Sequence, residues 1–339
     1  MELHFSVIIP IYNRPEELLE LLNSLLNQSF DKPFEIIVIE DGSQLRSDKV
    51  IKQFDKLNIN YFFKKNSGPG DSRNYGMKKA TGNFFIILDS DCILPDYYLK
   101  EVDVALQINF TDAYGGADAA HESFTVIQKA INYSMTSLFT TGGLRGSDKV
   151  KSKFQPRSFN MGISKKAFVK TKGFSKQHFG EDIDLTFKLW ELDFETQFIS
   201  KAFVFHKRRT SWKQFFNQTF NFGAARPILN KMYPGSAKIT YWFPSLFILG
   251  LLLAVLLLFN GYYMLLLFYG VYFILIFIDS TFKNKCNGKL YIKSVITGFN
   301  SIIATLVQFF GYGFGFLRSF LRLNVLNNSK EKTFPKMFR

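Results

Sequence analysis

The sequence predicts an α/β domain built on a largely parallel sheet, followed by a membrane region of hydrophobic helices. Three observations lead there. Short, continuously apolar runs alternate with helical stripes over residues 5–88. Each run ends in a polar cluster, and from Trp242 onward the composition shifts to long uncharged apolar stretches. Strands that are apolar throughout, rather than alternating, are those covered on both faces, as in parallel sheets wrapped by helices.

The elements follow in order. Phe5–Ile11 (FSVIIPI) is a buried strand closed by Asn13 and Arg14. Pro15–Leu26 carries Leu18, Leu19, Leu22, Leu25 and Leu26 at helical spacing, with Pro15 suited to the first turn. Glu35–Ile39 is a second strand, broken by Glu40-Asp41-Gly42-Ser43. Lys49–Leu57 reads as a helix, Asn60–Phe63 as a third strand, and Ser72–Thr81 as a helix stopped by Gly82. Phe84–Leu88 is a fourth strand running into Asp89-Ser90-Asp91. Ligands of such sheets bind at the carboxyl ends of the strands, which is where Asn13, Asp41 and Asp89 fall. Further on, Asn160–Lys166 is expected to follow a strand and Gly180–Trp190 to open a helix. Thr196–Phe205 is expected to form a strand ending at His206.

This organisation assigns residues 1–210 to the catalytic domain and 211–235 to an interfacial segment. The latter holds Trp212, Phe215, Phe216, Phe220 and Phe222, which suit a headgroup boundary or ordinary packing beneath the domain. Residues 236–325 form the membrane region, with apolar segments at 242–259, 262–278 and 295–317, and 326–339 is a basic tail. The first two segments have the length of bilayer crossings, and Asn260-Gly261 between them allows only a tight hairpin. The third is interrupted by Gly298, Gly311, Gly313 and Gly315, and either spans, re-enters or lies at the interface. Lys283, Lys285 and Lys289 fit the positive-inside rule, whereas Arg318, Arg322 and the tail would be exported against their charge by a third crossing.

The chain has 339 residues and a net charge of +14, which calls for an anionic partner. The basic residues flank apolar segments and no nucleic-acid module accompanies them. Membrane lipids are therefore the expected partner and nucleic acid is not. Cys92 and Cys286 lie in different regions, which indicates neither a disulfide framework nor a thiolate zinc site. The short polar lead before Phe5 lacks a signal-peptide pattern. The expected location is the cytoplasmic membrane, multi-pass, with the catalytic domain on the cytoplasmic face.

Two carboxylates two residues apart at the end of a buried strand, Asp89 and Asp91, can hold Mg2+ or Mn2+ against the phosphates of a nucleotide sugar. Asp41 either accepts a hydrogen bond from a nucleobase or closes an Asx-type turn with Gly42. The run Asn66–Gly76 is a Gly-rich turn opening a helix, where Arg73 can meet a phosphate or ribose, or pair with a strand-end carboxylate. His206, before Lys207-Arg208-Arg209, is either a further ligand or structural.

Taken in order, Val7–Asn13, Glu40–Ser43, Asn66–Gly76, Asp89–Asp91, Asn160-Met161-Gly162, Gly173-Phe174 and Gly180-Glu181-Asp182 resemble the family 2 glycosyltransferases of the Rossmann-like GT-A fold. The resemblance covers about the first 210 residues. It implies that Pro10 and Tyr12 line the nucleotide pocket, that Asp41 binds the base, and that Asp89 faces ribose or metal. It further implies that Asp91 ligates the metal and that Asp182, of the Glu181-Asp182 pair, is the general base of an inverting transfer. The Q-x-x-R-W sequence of processive members is replaced by Gln218-Thr219-Phe220-Asn221-Phe222, which argues against a polymer-extruding synthase. The expected reaction moves one sugar from a nucleotide-diphosphate sugar to a lipid-linked glycan acceptor, in polysaccharide biosynthesis. Polyprenyl phosphate is the alternative acceptor, and a glycan-binding membrane scaffold is the non-enzymatic alternative.

Overall fold

The computed structural model describes residues 2–142, 154–285 and 289–338, so Cys286 lies outside the described residues. The chain divides into two compact units, one of Met1–His121 and Gly146–Lys207, the other of Glu122–Arg145 and Arg208–Phe338. This differs from a catalytic domain running unbroken over 1–210. The helix Val126–Thr136 packs Ala130, Ile131 and Met135 with Phe215 and Ala304, and so groups with the later helices.

The first unit is organised by an eight-stranded sheet among the described residues, in the order β3-β2-β1-β4-β7-β6-β8-β5. The strands are β1 (Phe5–Ile11), β2 (Glu35–Asp41), β3 (Ile59–Lys64), β4 (Phe84–Leu88), β5 (Cys92–Ile93), β6 (Ala113–Ala119), β7 (Asn160–Ser164) and β8 (Thr196–His206). Strands β3, β2, β1 and β4 are mutually parallel, as their continuous apolar runs require. Alternate residues feed two separate cores. Val7, Ile9, Val38 and Ile86 meet Leu18, Leu22 and Leu25 of the helix Pro15–Leu26 on one face. Ile8, Ile37, Ile39 and Ile87 meet Met77, Phe168, Leu185 and Leu189 on the other. Each fully buried side chain of this kind contributes about 1.5–3 kcal/mol.

The sheet departs from the parallel expectation in its second half. β7 is antiparallel to both β4 and β6, and β5 is antiparallel to β8. The run Asn160-Met161-Gly162, expected to follow a strand, is itself in β7, and the helix Lys165–Thr171 comes after it. Gly162 is required there because a Cβ would lie 2.1 Å from the Tyr114 ring. The helix expected over Lys49–Leu57 shrinks to Asp48–Ile51, then tightens into i→i−3 turns that bring Phe54 onto the core. The helix expected from Ser72 begins at Pro69, because Gly68 takes φ +92° and Pro69 occupies the first turn.

Among its described residues the second unit holds three helical segments long and apolar enough to cross a membrane: Ile239–Leu258, Met264–Lys283 and Ile292–Asn324. The first two form a hairpin. Gly261, at φ +82°, ends the first helix with Tyr262 N donating to Leu257 O (3.0 Å), a left-handed helix stop. The third is one unbroken helix of 33 residues, about 50 Å long. Its glycines do not interrupt it. Gly311 and Gly315 admit the helix Trp212–Met232 to near backbone contact: a Cβ on Gly315 would lie 2.1 Å from Phe220 O, and one on the facing Gly223 2.0 Å from Tyr312 O.

The third helix runs across the open end of the hairpin. Gly298 fits against Thr281 and Phe277, and Ser301 Oγ lies 2.7 Å from Ser280 Oγ. Further along, Phe309 meets Phe243 and Phe247, Ser245 Oγ donates to Gly313 O (3.2 Å), and Phe316 and Phe320 both meet Trp242. From Gly298 to Phe320 the helix advances about 33 Å. Yet the hairpin residues in these contacts all belong to 242–247 or 277–281, the ends remote from the Asn260-Gly261 turn. The body of the hairpin, including Leu252, Leu256, Phe268 and Val271, is exposed.

Candidate active site

The parallel strands bring their carboxyl ends to one edge of the sheet, and the polar residues gather there. Asn13, at φ +55° just beyond β1, accepts from Gln44 N (2.7 Å) and Leu45 N (3.0 Å) through Oδ1, while its own N donates to Ser43 Oγ (2.8 Å). These bonds tie the end of β1 to the turn after β2. Pro10, in β1, is half-buried, and Tyr12, just beyond the strand, is exposed.

Asp41 ends β2 and is buried. One carboxylate oxygen accepts from Lys64 Nζ (2.5 Å) and Ser67 N (2.9 Å), and the other accepts from Gly68 N (2.9 Å). Asn66 Nδ2 donates to its backbone carbonyl (2.8 Å). Asp41 therefore anchors the Asn66–Gly68 loop through both carboxylate oxygens, with acceptor capacity left for a further donor.

Arg73 joins β4 to the helix Glu181–Glu191. It is buried, donating from Nη2 to Asp89 Oδ1 (2.7 Å) and from Nη1 to Glu181 Oε1 (3.1 Å), with its guanidinium 5.3 Å from the centre of the Phe174 ring. Burial opposes its charge, while Asp89 and Glu181 hold the proton on and raise its pKa. Glu181 is itself buried behind Arg73. Burial first, then the neighbouring Asp182 carboxylate, push its pKa up to about 7, against the pull of Arg73.

Asp89 and Asp91 have different side-chain partners. While Asp89 turns to Arg73, Asp91 lies 3.3 Å from Arg14 Nη1 and 3.1 Å from His206 Nε2, with His206 stacked on Phe159. The carboxylate, the imidazole and the Cys92 thiol come within 4.8 Å of one another. Burial, then Asp91 and Asp89, push the Cys92 thiol well above its ordinary pKa, and its Sγ donates to Phe159 O (3.5 Å). Without a cation beside it, Cys92 therefore stays a neutral thiol. Asp91 and His206 offer a hard oxygen and a borderline nitrogen, and among the described residues the buried Nδ1 of His206 makes no hydrogen bond. That donor set fits Mg2+ or, with an imidazole present, Mn2+. Glu17 lies close by; burial and then Asp91 raise its pKa while Arg14 opposes them.

Asp182 occupies the first turn of the helix Glu181–Glu191, where the dipole favours a carboxylate. Its Oδ1 accepts from Ile183 N (2.8 Å) and its Oδ2 lies 3.7 Å from Arg157 Nη1. Asp184, the rival carboxylate on that helix, is buried, accepting from Ser175 Oγ (2.5 Å) and pairing with Lys188 (2.8 Å). Sequence reasoning did not single out Arg14, Lys64, Arg157 or Phe174 as site residues. Arg14 and Lys64 stand at strand ends, the position that marked Asp41 and Asp89. Arg157 carries no local signal.

Comparison with known proteins bears on this geometry. Residues 6–172 match the glycosyl transferase family 2 profile, which stops short of Glu181, Asp182 and His206. Over 133 residues the chain is 35% identical to the poly(ribitol-phosphate) β-N-acetylglucosaminyltransferase of Staphylococcus aureus, covering 38% of this chain and 21% of that protein. Over 229 residues it is 27% identical to the GalNAc(5)-diNAcBac-PP-undecaprenol β-1,3-glucosyltransferase of Campylobacter jejuni, covering 65% of this chain and 68% of that protein. The chain thus spans only about a fifth of the staphylococcal relative. A mannosyltransferase of Pyrobaculum calidifontis, solved with GDP-Man and Mn2+, shares the fold at a TM-score of 0.52 and 14% identity, covering 67% of this chain and 65% of that one. With the sheet, the strand-end cluster and the profile in agreement, the chain belongs to glycosyltransferase family 2 through its first unit.

Proposed function

We propose that this chain transfers one sugar, with inversion at the anomeric carbon, from a nucleotide-diphosphate sugar to a lipid-linked glycan at a membrane face. The observation that carries the reading is the polar edge where β1, β2 and β4 end. There Asp41 orders the Gly-rich loop, Arg73 fixes Asp89 against Glu181, and Asp91 faces His206. Pro10, Tyr12 and Asp41 are assigned to the nucleotide, with the Arg73–Asp89 pair beside its ribose and phosphates. Asp91 and His206 are assigned to a divalent cation, Mg2+ or Mn2+, which supplies charge neutralisation for the departing diphosphate. Asp182 takes the proton of the attacking hydroxyl. Glu181 positions Arg73 and thereby Asp89.

The lipid acceptor follows from the apolar helices of the second unit and from the undecaprenol-linked acceptor in the name of the Campylobacter relative. Donor binding is tested by thermal unfolding with UDP-, GDP- and dTDP-sugars and manganese. One nucleotide class should raise the unfolding temperature, since a ligand of the native state adds apparent stability. No response to any of them would count against a nucleotide-sugar site.

The hairpin and the crossing helix also support a topology. We infer that Phe243–Leu258 and Met264–Lys283 span the bilayer, while Ile292–Asn324 lies along its surface with the helix Trp212–Met232. Arg318, Arg322 and the basic tail then stay on the side of the catalytic unit, as the positive-inside rule asks. In sealed vesicles, a cysteine at Lys336 should react with an impermeant thiol reagent from the catalytic side, and one at Asn260 only from the other. Labelling of both from one side would refute two crossings.

A further inference from the structure

We propose that Arg226 is a binding site for the phosphate of a membrane lipid, at headgroup depth in the second unit. Arg226 lies in the helix Trp212–Met232 and is only 8% exposed. Among the described residues its Nη1 is buried without a hydrogen-bond partner, and it forms no ion pair. An aromatic face lies beside it: the guanidinium carbon stands 4.3 Å from the centre of the Tyr241 ring. A buried guanidinium normally has a carboxylate or phosphate opposite, because an unpaired charge out of water is costly.

No carboxylate of this unit fills that role. The unit carries three, Glu122, Asp279 and Glu331. Asp279 accepts from Tyr133 Oη (2.7 Å) and Lys283 Nζ (2.9 Å), and Glu122 and Glu331 are exposed without a bond to Arg226. Among the described residues the unit thus offers Arg226 no anion, which leaves one from outside the unit. The depth of the site indicates its source. Tyr241 and Trp242 form the turn Ile239–Trp242 that enters the first apolar helix, and Trp242 packs on Phe316 and Phe320 of the crossing helix. Tyrosine and tryptophan in that position mark the membrane–water interface, where lipid phosphates lie. The guanidinium fork is suited to phosphate oxygens, and the Tyr241 face keeps it oriented. The site is therefore specific for a phosphate on a lipid, and it rests on the membrane reading above.

The test uses the full chain with phosphatidylcholine vesicles, with and without phosphatidylglycerol, and inorganic diphosphate as a soluble arm. The lipid dependence of the unfolding temperature gives an apparent affinity. Wild type should bind the anionic vesicles more tightly than the neutral ones, and Arg226→Gln should lose about tenfold or more of that affinity. Arg226→Lys should retain part of it, and Arg318→Gln, which removes an exposed charge, should lose less than Arg226→Gln. If Arg226→Gln does not fold, the shortfall of Arg226→Lys relative to Arg318→Gln decides. Equal anionic-lipid affinity of the Arg226 variants and wild type overturns the proposal. Equal protection by inorganic diphosphate overturns its lipid part. Failure of the membrane reading shows separately, as labelling of Lys336 and Asn260 cysteines from the same side.

Discussion

Asp91→Asn is expected to lower sugar transfer by about a thousandfold or more, on the order of 4 kcal/mol of transition-state stabilisation. Asp91 is the carboxylate of the Asp-Ser-Asp turn that faces His206 (3.1 Å), and it also meets Arg14 (3.3 Å). The amide keeps the size of the side chain but removes the charge that would hold a divalent cation and, through it, the donor diphosphate. Donor affinity should fall with the rate, and excess magnesium or manganese should not restore either. Asp89→Asn has a different signature. It withdraws one of the two carboxylates that Arg73 holds in a buried site, so stability should fall together with activity. Steady-state kinetics and thermal unfolding of the two variants separate these outcomes. Full activity of Asp91→Asn, or of wild type in a chelator, would make the turn structural.

Asp182→Asn is expected to lower turnover at least about a hundredfold on a hydroxyl acceptor, with donor affinity and folding close to wild type. Single displacement at the anomeric carbon needs a carboxylate near the attacking oxygen, and two acidic neighbours compete for that role. Asp184 is removed from contention by its buried bonds to Ser175 and Lys188. Glu181 is occupied by Arg73, and its pKa near 7 reflects burial and the adjacent Asp182. Asp182 remains, partly exposed in the first helical turn, with Arg157 3.7 Å away. Glu181→Gln should be milder in turnover, since its part is to position Arg73. A variant Asp182→Asn as fast as wild type on a hydroxyl acceptor would sink the assignment.

Much of the first unit was legible because its strands are apolar on both faces. Val7, Ile9 and Val38 serve one core and Ile8, Ile37 and Ile39 the other, and no alternating pattern accommodates both. The antiparallel β7 was not legible. Its sequence, Asn160–Ser164, is mixed, and Gly162 is needed only because of Tyr114, a partner distant in sequence. The glycines of the helix Ile292–Asn324 were not legible for the same reason, since the backbone they admit is distant in sequence: Phe277 at Gly298, Phe216 at Gly311, Pro244 at Gly313 and Phe220 at Gly315. At the site, residue spacing located the Asp-Ser-Asp turn but not its division. Where each carboxylate points depends on Arg73 and His206, which reach it from other elements. The grouping of Val126–Thr136 with the apolar helices has no local signature, since it depends on Phe215 and Ala304.

The most direct test of the account is transfer itself. Membranes containing the full chain are given a radiolabelled nucleotide sugar, with manganese, and either a polyprenyl-diphosphate-linked sugar or polyprenyl phosphate, and the lipid extract is resolved by thin-layer chromatography. The account predicts label on the diphosphate-linked acceptor, in a product whose anomeric configuration is opposite to that of the donor. Label on polyprenyl phosphate alone, retention of configuration, or no transfer from any nucleotide sugar would contradict it.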